Sequence, residues 1–388
     1  MATTPTPRLL KLKLWPTAVA APLLGFLAAA CSSSENPGGN SGAAGNSGAG
    51  PAATGGSGNN AGAGVGTSGS SANGGGANGA NGGNESAGST TGGASNGGNT
   101  TNGGGGSVTG AGGSSGSGRT ADATCTRWKA DTANLDEGTW SGSVAECMAG
   151  DISVDGRDNA LRMFNLVRWL GDLPAVTTED ERNQQAQACA LMMTANDMLS
   201  HMPPMNWKCY SDLGAKGAST SNISGGPGVA SVLSYMVDSG NETTFGHRRI
   251  VLSNELGPIG LGSAGKDGSS CMQNIGGKGN AGKAWMAWPP PGPFPMQAYR
   301  DVYNRSLDTT GWSIQSKNID LSKAQVTVTS AGQARPVKVE PLTGNYGNNK
   351  AIRVVPDGWK AAAGQTYAVS VSGATAPIAY EIQLIDCK

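Results

Sequence analysis

Histidine is nearly missing from this chain. Of 388 residues only His201 and His247 carry an imidazole. That group titrates nearest neutrality and commonly ligates metals, so any chemistry that needs one must run through these two positions. His201 lies in LSHMPP and His247 in FGHRRIVL, both beside turn-forming residues. A lone histidine is otherwise a half-buried hydrogen-bonding residue, and that plain reading stands beside the functional one. Other absences exclude whole classes. There is no basic block, so nucleic acid is excluded as an expected partner. No cysteine pair has CxxC spacing, which removes a thiolate zinc site and thioredoxin-like chemistry. No GxSxG elbow occurs in the part expected to fold.

The first thirty residues read as an export signal. Arg8, Lys11 and Lys13 form a positive start, and Leu14 to Ala30 form an apolar stretch that Pro16, Thr17 and Pro22 interrupt. It is too short and broken for a good spanning helix. LAAAC, ending at Cys31, resembles the bacterial lipoprotein cleavage box, although Ala28 stands where leucine is usual. The resemblance implies lipidation of Cys31, a membrane partner through that anchor, and an outer-membrane or cell-surface location. Ser32 after the cysteine fits passage to an outer membrane. The alternative is an ordinary secretory signal. Without its three basic residues the chain carries 24 basic against 27 acidic side chains.

From Ser32 to about Gly118 the chain is almost wholly Gly, Ser, Asn, Ala and Thr. Its only charges are Glu35 and Glu85, and it has no aromatic residue. Such a segment buries too little apolar surface to offset the entropy of ordering. Residues 31–120 are therefore expected to form a flexible tether on the order of 50 Å from end to end.

Six cysteines remain beyond Cys31, an even set that suggests three disulfides in an exported chain, with 15 pairings formally open. Proximity favours Cys125–Cys147 and Cys189–Cys209, leaving Cys271–Cys387. Residues 155–170 have an apolar side of Leu161, Phe164, Val167 and Leu170 and predict a helix. Thr178 with Glu181 forms a capping-box pattern for a second helix, with Ala186, Cys189, Ala190 and Met193 on its buried face. A third helix is expected over 229–237. Short strands are expected around Ile259–Leu261, over 271–275 and over 284–288. Together these give an α/β fold with a three-layer α-β-α sandwich over residues 121–298. WPPPGPFP reads as a stiff hinge. Beyond it, alternating β-rich runs at 325–329, 336–340, 351–355, 366–372 and 378–385 predict a small all-β sandwich, immunoglobulin-like or fibronectin-like, over 299–388.

The order of these motifs resembles the CAP superfamily of cysteine-rich secretory, antigen 5 and pathogenesis-related proteins. FNLVRWLGDLPAV is similar to the family's opening helix, with Asn165 and Arg168 at its Asn and Arg positions. AQACALMMTANDMLSH resembles the second helix with the first histidine, His201. TSNIS stands where the family has Gly-Glu-Asn-Leu and keeps Asn222. SYMVDSG places Asp238 near the second family acid, and GHRRIVLSNELGPIGLGSA carries His247 as the second histidine. The resemblance implies a cleft with His201, His247, Asp238, Ser221 and Asn222. In some family members such a cleft holds a divalent metal, which here implies zinc or magnesium on His201 and His247 with Asp238, or else Glu242, as third ligand. Ser221 occupies the position of the first family glutamate, and a catalytic zinc site needs three protein ligands. The leading expectation is a non-catalytic module that binds a small-molecule, lipid or envelope ligand. A metal-assisted hydrolase or peptidase using both histidines is the alternative, and a purely structural adhesion role is the third reading.

Overall fold

The structure, a computed structural model, describes residues 118–388. The expected signal over 1–30, the lipidation at Cys31 and all but the end of the tether lie outside the described residues. The chain runs through α1 (Ala121–Thr132), α2 (Val154–Leu170), α3 (Asp180–Asn196), α4 (Asp212–Ser219), β1 (Ser221–Ser224), α5 (Gly228–Val237), α6 (Gly246–Val251), β2 (Gly260–Ser263) and β3 (Ser270–Gln273). It continues through β4 (Met286–Trp288), β5 (Gly292–Pro295), α7 (Leu307–Thr310), β6 (Trp312–Ser316), β7 (Gln325–Ser330), β8 (Gln333–Arg335), β9 (Val337–Pro341), β10 (Lys350–Pro356), β11 (Thr366–Ser372) and β12 (Ile378–Ile385). This is the expected mixture: an α/β unit followed by a β region.

The first sheet has the order β1-β3-β2, antiparallel throughout. Successive residues of β3 face opposite layers, as strand geometry requires. Cys271 packs with Ala186, Cys189, Ala190 and Met193 of α3, whereas Met272 packs with the core of α2 and α5. The apolar face read for α3 is therefore the buried one. Thr178 does not cap that helix, however. It forms a parallel bridge to Ile259, and Glu179 takes the cap position without a side-chain bond.

Edge strand β2 is satisfied by α3 itself. Asn183 Oδ1 accepts from Leu261 N at 2.9 Å, and Gln187 bonds both the N–H and the C=O of Ser263 at 3.1 and 2.9 Å. These amides lie one helical turn apart and replace a neighbouring strand. Contact this close needs glycine. A Cβ on Gly260 or Gly262 would stand 2.2 Å from the α3 backbone.

Beyond residue 285 two further sheets form, with orders β4-β6-β10-β9 and β5-β12-β11-β7-β8. Strands β4 and β5 pair with β6 and β12, so the β region starts before the expected boundary at 298–299. WPPPGPFP is not a hinge: Gly292–Pro295 is an edge strand, where proline's missing N–H costs no ladder bond. One apolar cluster runs from Phe164 and Val167 through Val251 and Leu252 to Trp288, Trp312 and Ile314.

The disulfides correct the proximity reading. They join Cys125–Cys387, Cys147–Cys209 and Cys189–Cys271. Cys189 faces the sheet and meets the inward residue of β3, whereas Cys209 lies beyond the end of α3 and meets a cysteine from the segment before α2. Helix α1 packs on β5, next to β12, which brings Cys125 to the C-terminus.

Buried arginines hold the site region to the β region. Arg168, Arg248 and Arg249 are fully buried, and none forms an ion pair among the described residues. Their hydrogen bonds go almost wholly to main-chain carbonyls. Arg249 donates to the oxygens of Thr244, Thr343, Gly344, Asn348 and Asn349 at 2.7–3.2 Å. Burial pulls the Arg248 guanidinium down to about 9 and those of Arg168 and Arg249 to about 10, so all three stay charged at neutral pH.

Two outcomes follow. Non-reducing peptide mapping of the oxidised protein should recover the three pairs above, and Cys387→Ser should cost about 2–5 kcal/mol because it opens a 262-residue span. Arg249→Ala should cost about 3 kcal/mol or more in urea denaturation, since it removes five hydrogen bonds of a buried charged group to main-chain carbonyls. Arg249→Lys should recover only part of this, because an ammonium lacks the planar fork. A loss under about 1 kcal/mol for Arg249→Ala would contradict the clamp.

Candidate functional site

Helix α5 carries the acid of the site, and both its ends are fixed from elsewhere in the chain. At its start the Glu137 carboxylate accepts from Val229 N at 2.7 Å and Ala230 N at 2.8 Å. A carboxylate there meets two orphan amides and the positive end of the helix dipole. Burial pushes the Glu137 carboxyl up, while the two amide bonds pull it partly back. At the helix end, Arg248 donates from Nε to Met236 O at 2.6 Å and from Nη2 to Val237 O at 2.9 Å. Its Nη1 reaches Gly311 O at 2.9 Å, and the guanidinium stacks 3.9 Å from the Phe245 ring centroid.

Asp238 caps α5 in the left-handed region, with φ of 54° and ψ of 41°. This conformation suits aspartate better than most residues. It turns a buried carboxylate toward α6. Oδ1 lies 2.9 Å from His247 Nδ1 and 2.9 Å from Asn241 Nδ2, and Oδ2 accepts from Arg248 N at 3.1 Å. Both oxygens are thus engaged. The carboxylate fixes the His247 ring with its Nδ1 side inward. Tyr235 packs against that ring at a centroid distance of 4.9 Å. The phenol donates to Asn222 O at 3.2 Å, and burial pushes its pKa up.

His201 follows α3 and donates from Nδ1 to Ala218 O at 2.9 Å, near the end of α4. A carbonyl can only accept, so Nδ1 carries the proton and Nε2 keeps its lone pair. Burial depresses the His201 pKa, the Ala218 bond opposes this, and the nearby His247 adds to the depression. Neither Nε2 is a buried atom lacking a partner, and neither makes a hydrogen bond among the described residues.

The other expected site residues take different places. Ser221 and Asn222 are buried in β1. Asn222 Nδ2 donates to His247 O at 3.2 Å and so positions that residue's backbone, while Ser221 Oγ has no partner. Asp238 is an orienting partner of His247, because its oxygens are already committed. No group of three His, Cys, Asp or Glu side chains that could hold a metal occurs among the described residues. The zinc or magnesium set of His201, His247 and Asp238 therefore lacks its third ligand. A cavity of about 10 Å³, room for one water, lies between α2, α5 and the sheet, lined by Glu137, Ala160, Leu261 and Ser263, and neither histidine borders it.

Glu137, Tyr235, Asn241, Arg248 and Arg249 escaped the sequence reading. The paired arginines before Ile250-Val251-Leu252 were the available signal, since a charged pair leading into an apolar run must find buried partners. Glu137 gives no local signal. Its role depends on a helix 92 residues away.

The depressed His201 pKa fixes a sign. The folded state binds fewer protons at this residue than the unfolded chain, so its stability is complete above the ordinary histidine value and falls as pH drops below it. His201→Gln should flatten the loss of melting temperature between about pH 7 and pH 5. An unchanged slope would remove His201 as its source.

Neither a curated protein nor a solved structure matches the chain. A family model does: residues 161–274, from within α2 to just beyond β3, match CAP, the cysteine-rich secretory protein family. That match covers both histidines and Asp238, and it supports a CAP domain over this part of the chain.

Proposed function

We propose that this protein is an exported, surface-tethered CAP module whose histidine cleft binds a ligand without catalysis. The observation that carries the reading is the state of the two imidazoles. Each is fixed through its Nδ1 side, His201 by a carbonyl and His247 by Asp238, and each leaves Nε2 without a partner among the described residues. The reading takes these two hydrogen-bonding nitrogens as the polar lining of one cleft. A nucleophile is the part of a hydrolase that is not seen beside them. No serine hydroxyl bonds either ring among the described residues, so the imidazole that Asp238 orients has no side-chain nucleophile beside it.

Export is supported by three disulfides, which persist in oxidising compartments. Among the described residues no helix is long and apolar enough to cross a membrane. On this reading attachment is through Cys31 and its lipid, as the LAAAC sequence suggests, with residues 31–120 as tether and a small-molecule, lipid or envelope component as ligand. Hydrolysis, which the sequence suggested as metal-assisted, stays the second reading because the Asp238–His247 pair, at 2.9 Å, has the form of an oriented general base.

Organic extraction of the purified full-length protein followed by mass spectrometry tests the proposal. A bound small molecule near one equivalent should be released, and His247→Ala should reduce it roughly tenfold or more. Peptide or ester turnover that disappears with His201→Ala or His247→Ala would overturn the non-catalytic reading in favour of the hydrolase.

A further inference from the structure

Methionine is normally buried, and in this protein its exposure is sharply divided. Met163, Met192, Met193, Met236, Met272 and Met286 are buried in the core. Met198, Met202 and Met205 are 58%, 79% and 80% exposed, and all three fall within eight residues. His201 lies among them. The one other strongly exposed methionine of the described residues, Met148, is carried to the base of the same segment by the Cys147–Cys209 disulfide. Four exposed methionines on one short stretch of chain and the segment tied to it by a disulfide are an unusual use of this residue.

The segment is held shut at its base. Asn196 Nδ2 donates to Lys208 O at 2.9 Å, and Lys208 N donates back to Asn196 Oδ1 at 3.0 Å. A turn closes from Trp207 N to Pro204 O at 3.0 Å, and Met202 N bonds Ser200 Oγ at 3.0 Å. Pro203 and Pro204 restrict the backbone further. Three flexible thioethers are thus presented from one tight loop, on side chains with three rotatable bonds that can converge on a small guest.

The donor chemistry selects that guest. Thioether sulfur is soft and uncharged, and with imidazole it suits copper(I) rather than zinc, magnesium or calcium. His201 is the matching fourth donor, since its Nδ1 is bonded to Ala218 O and its Nε2 bears the lone pair. We propose that the loop from Asp197 to Trp207 binds copper(I) through Met198, Met202, Met205 and His201 Nε2. The site shares His201 with the cleft but needs neither His247 nor Asp238, so it stands or falls apart from the ligand-binding reading. Binding exchanges water or a carrier ligand for protein donors and involves no electron transfer.

The test uses the full-length chain with Cys31→Ser, so that no free thiol competes, while the six remaining cysteines stay paired. Copper(I) is supplied under nitrogen as its acetonitrile complex and competed against bicinchoninate. One equivalent should be withdrawn from the indicator. The triple variant Met198→Leu, Met202→Leu, Met205→Leu should bind roughly a hundredfold more weakly at an unchanged melting temperature. His201→Ala should also weaken binding, and His247→Ala should leave it as it was. Silver(I) should shift three methionine methyl signals in a ¹³C-methyl spectrum. Failure of the parent protein to withdraw copper, or equal withdrawal by the triple variant, overturns the proposal.

Discussion

A helix of ten residues held at both ends by oppositely charged side chains is the constraint on which the site depends. Glu137 meets the first amides of α5 and Arg248 meets its last carbonyls. Each charge stands where the helix leaves its backbone groups unpaired and where its dipole favours that sign. The reward is positional. Asp238 extends directly from the clamped end, so the carboxylate that sets the His247 ring cannot drift while Arg248 stays in place. The same arginine donates its own N–H to Asp238 and its side chain to Gly311, which ties the orientation of an imidazole to the docking of the β region.

Burying three guanidinium groups without carboxylates is costly unless every donor is met. Main-chain carbonyls meet most of them here, and these are available only where chain ends, turns and loops converge. Arg249 draws four of its five acceptors from residues 343–349 of the loop before β10. Gly246 belongs to the same contact, because a Cβ there would press against the Tyr346 ring at 3.4 Å. The β region is therefore a structural wall behind the GHRR segment, and the family match to residues 161–274 covers only one side of that joint.

How far the sequence could be read follows the range of each interaction. Helices α2, α3 and α5 were legible because their apolar spacing is local, and five β runs after residue 320 were legible from alternation. The two histidines and Asp238 were legible through resemblance to a family. Helix α4 was not, because Gly214 and Gly217 look like breakers. They are there to let α4 approach α3 closely, with a Cβ on Gly217 falling 2.2 Å from Gln185 O. Strand β5 was hidden by its prolines, which an edge position tolerates. Disulfide pairing failed for a similar reason, since sequence proximity carries no information about which cysteine faces which layer. Glu137 and the carbonyl partners of Arg249 are long-range choices that no window of sequence contains.

With only two histidines in the chain, the imidazole nitrogens can be observed one by one. A ¹H–¹⁵N spectrum of the full-length protein should show His201 and His247 each locked with the proton on Nδ1, and Arg248→Met should release His247 into averaging tautomers while His201 keeps its lock. A folded Arg248→Met protein in which both imidazole patterns are unchanged would contradict the claim that the clamp on α5 sets the site.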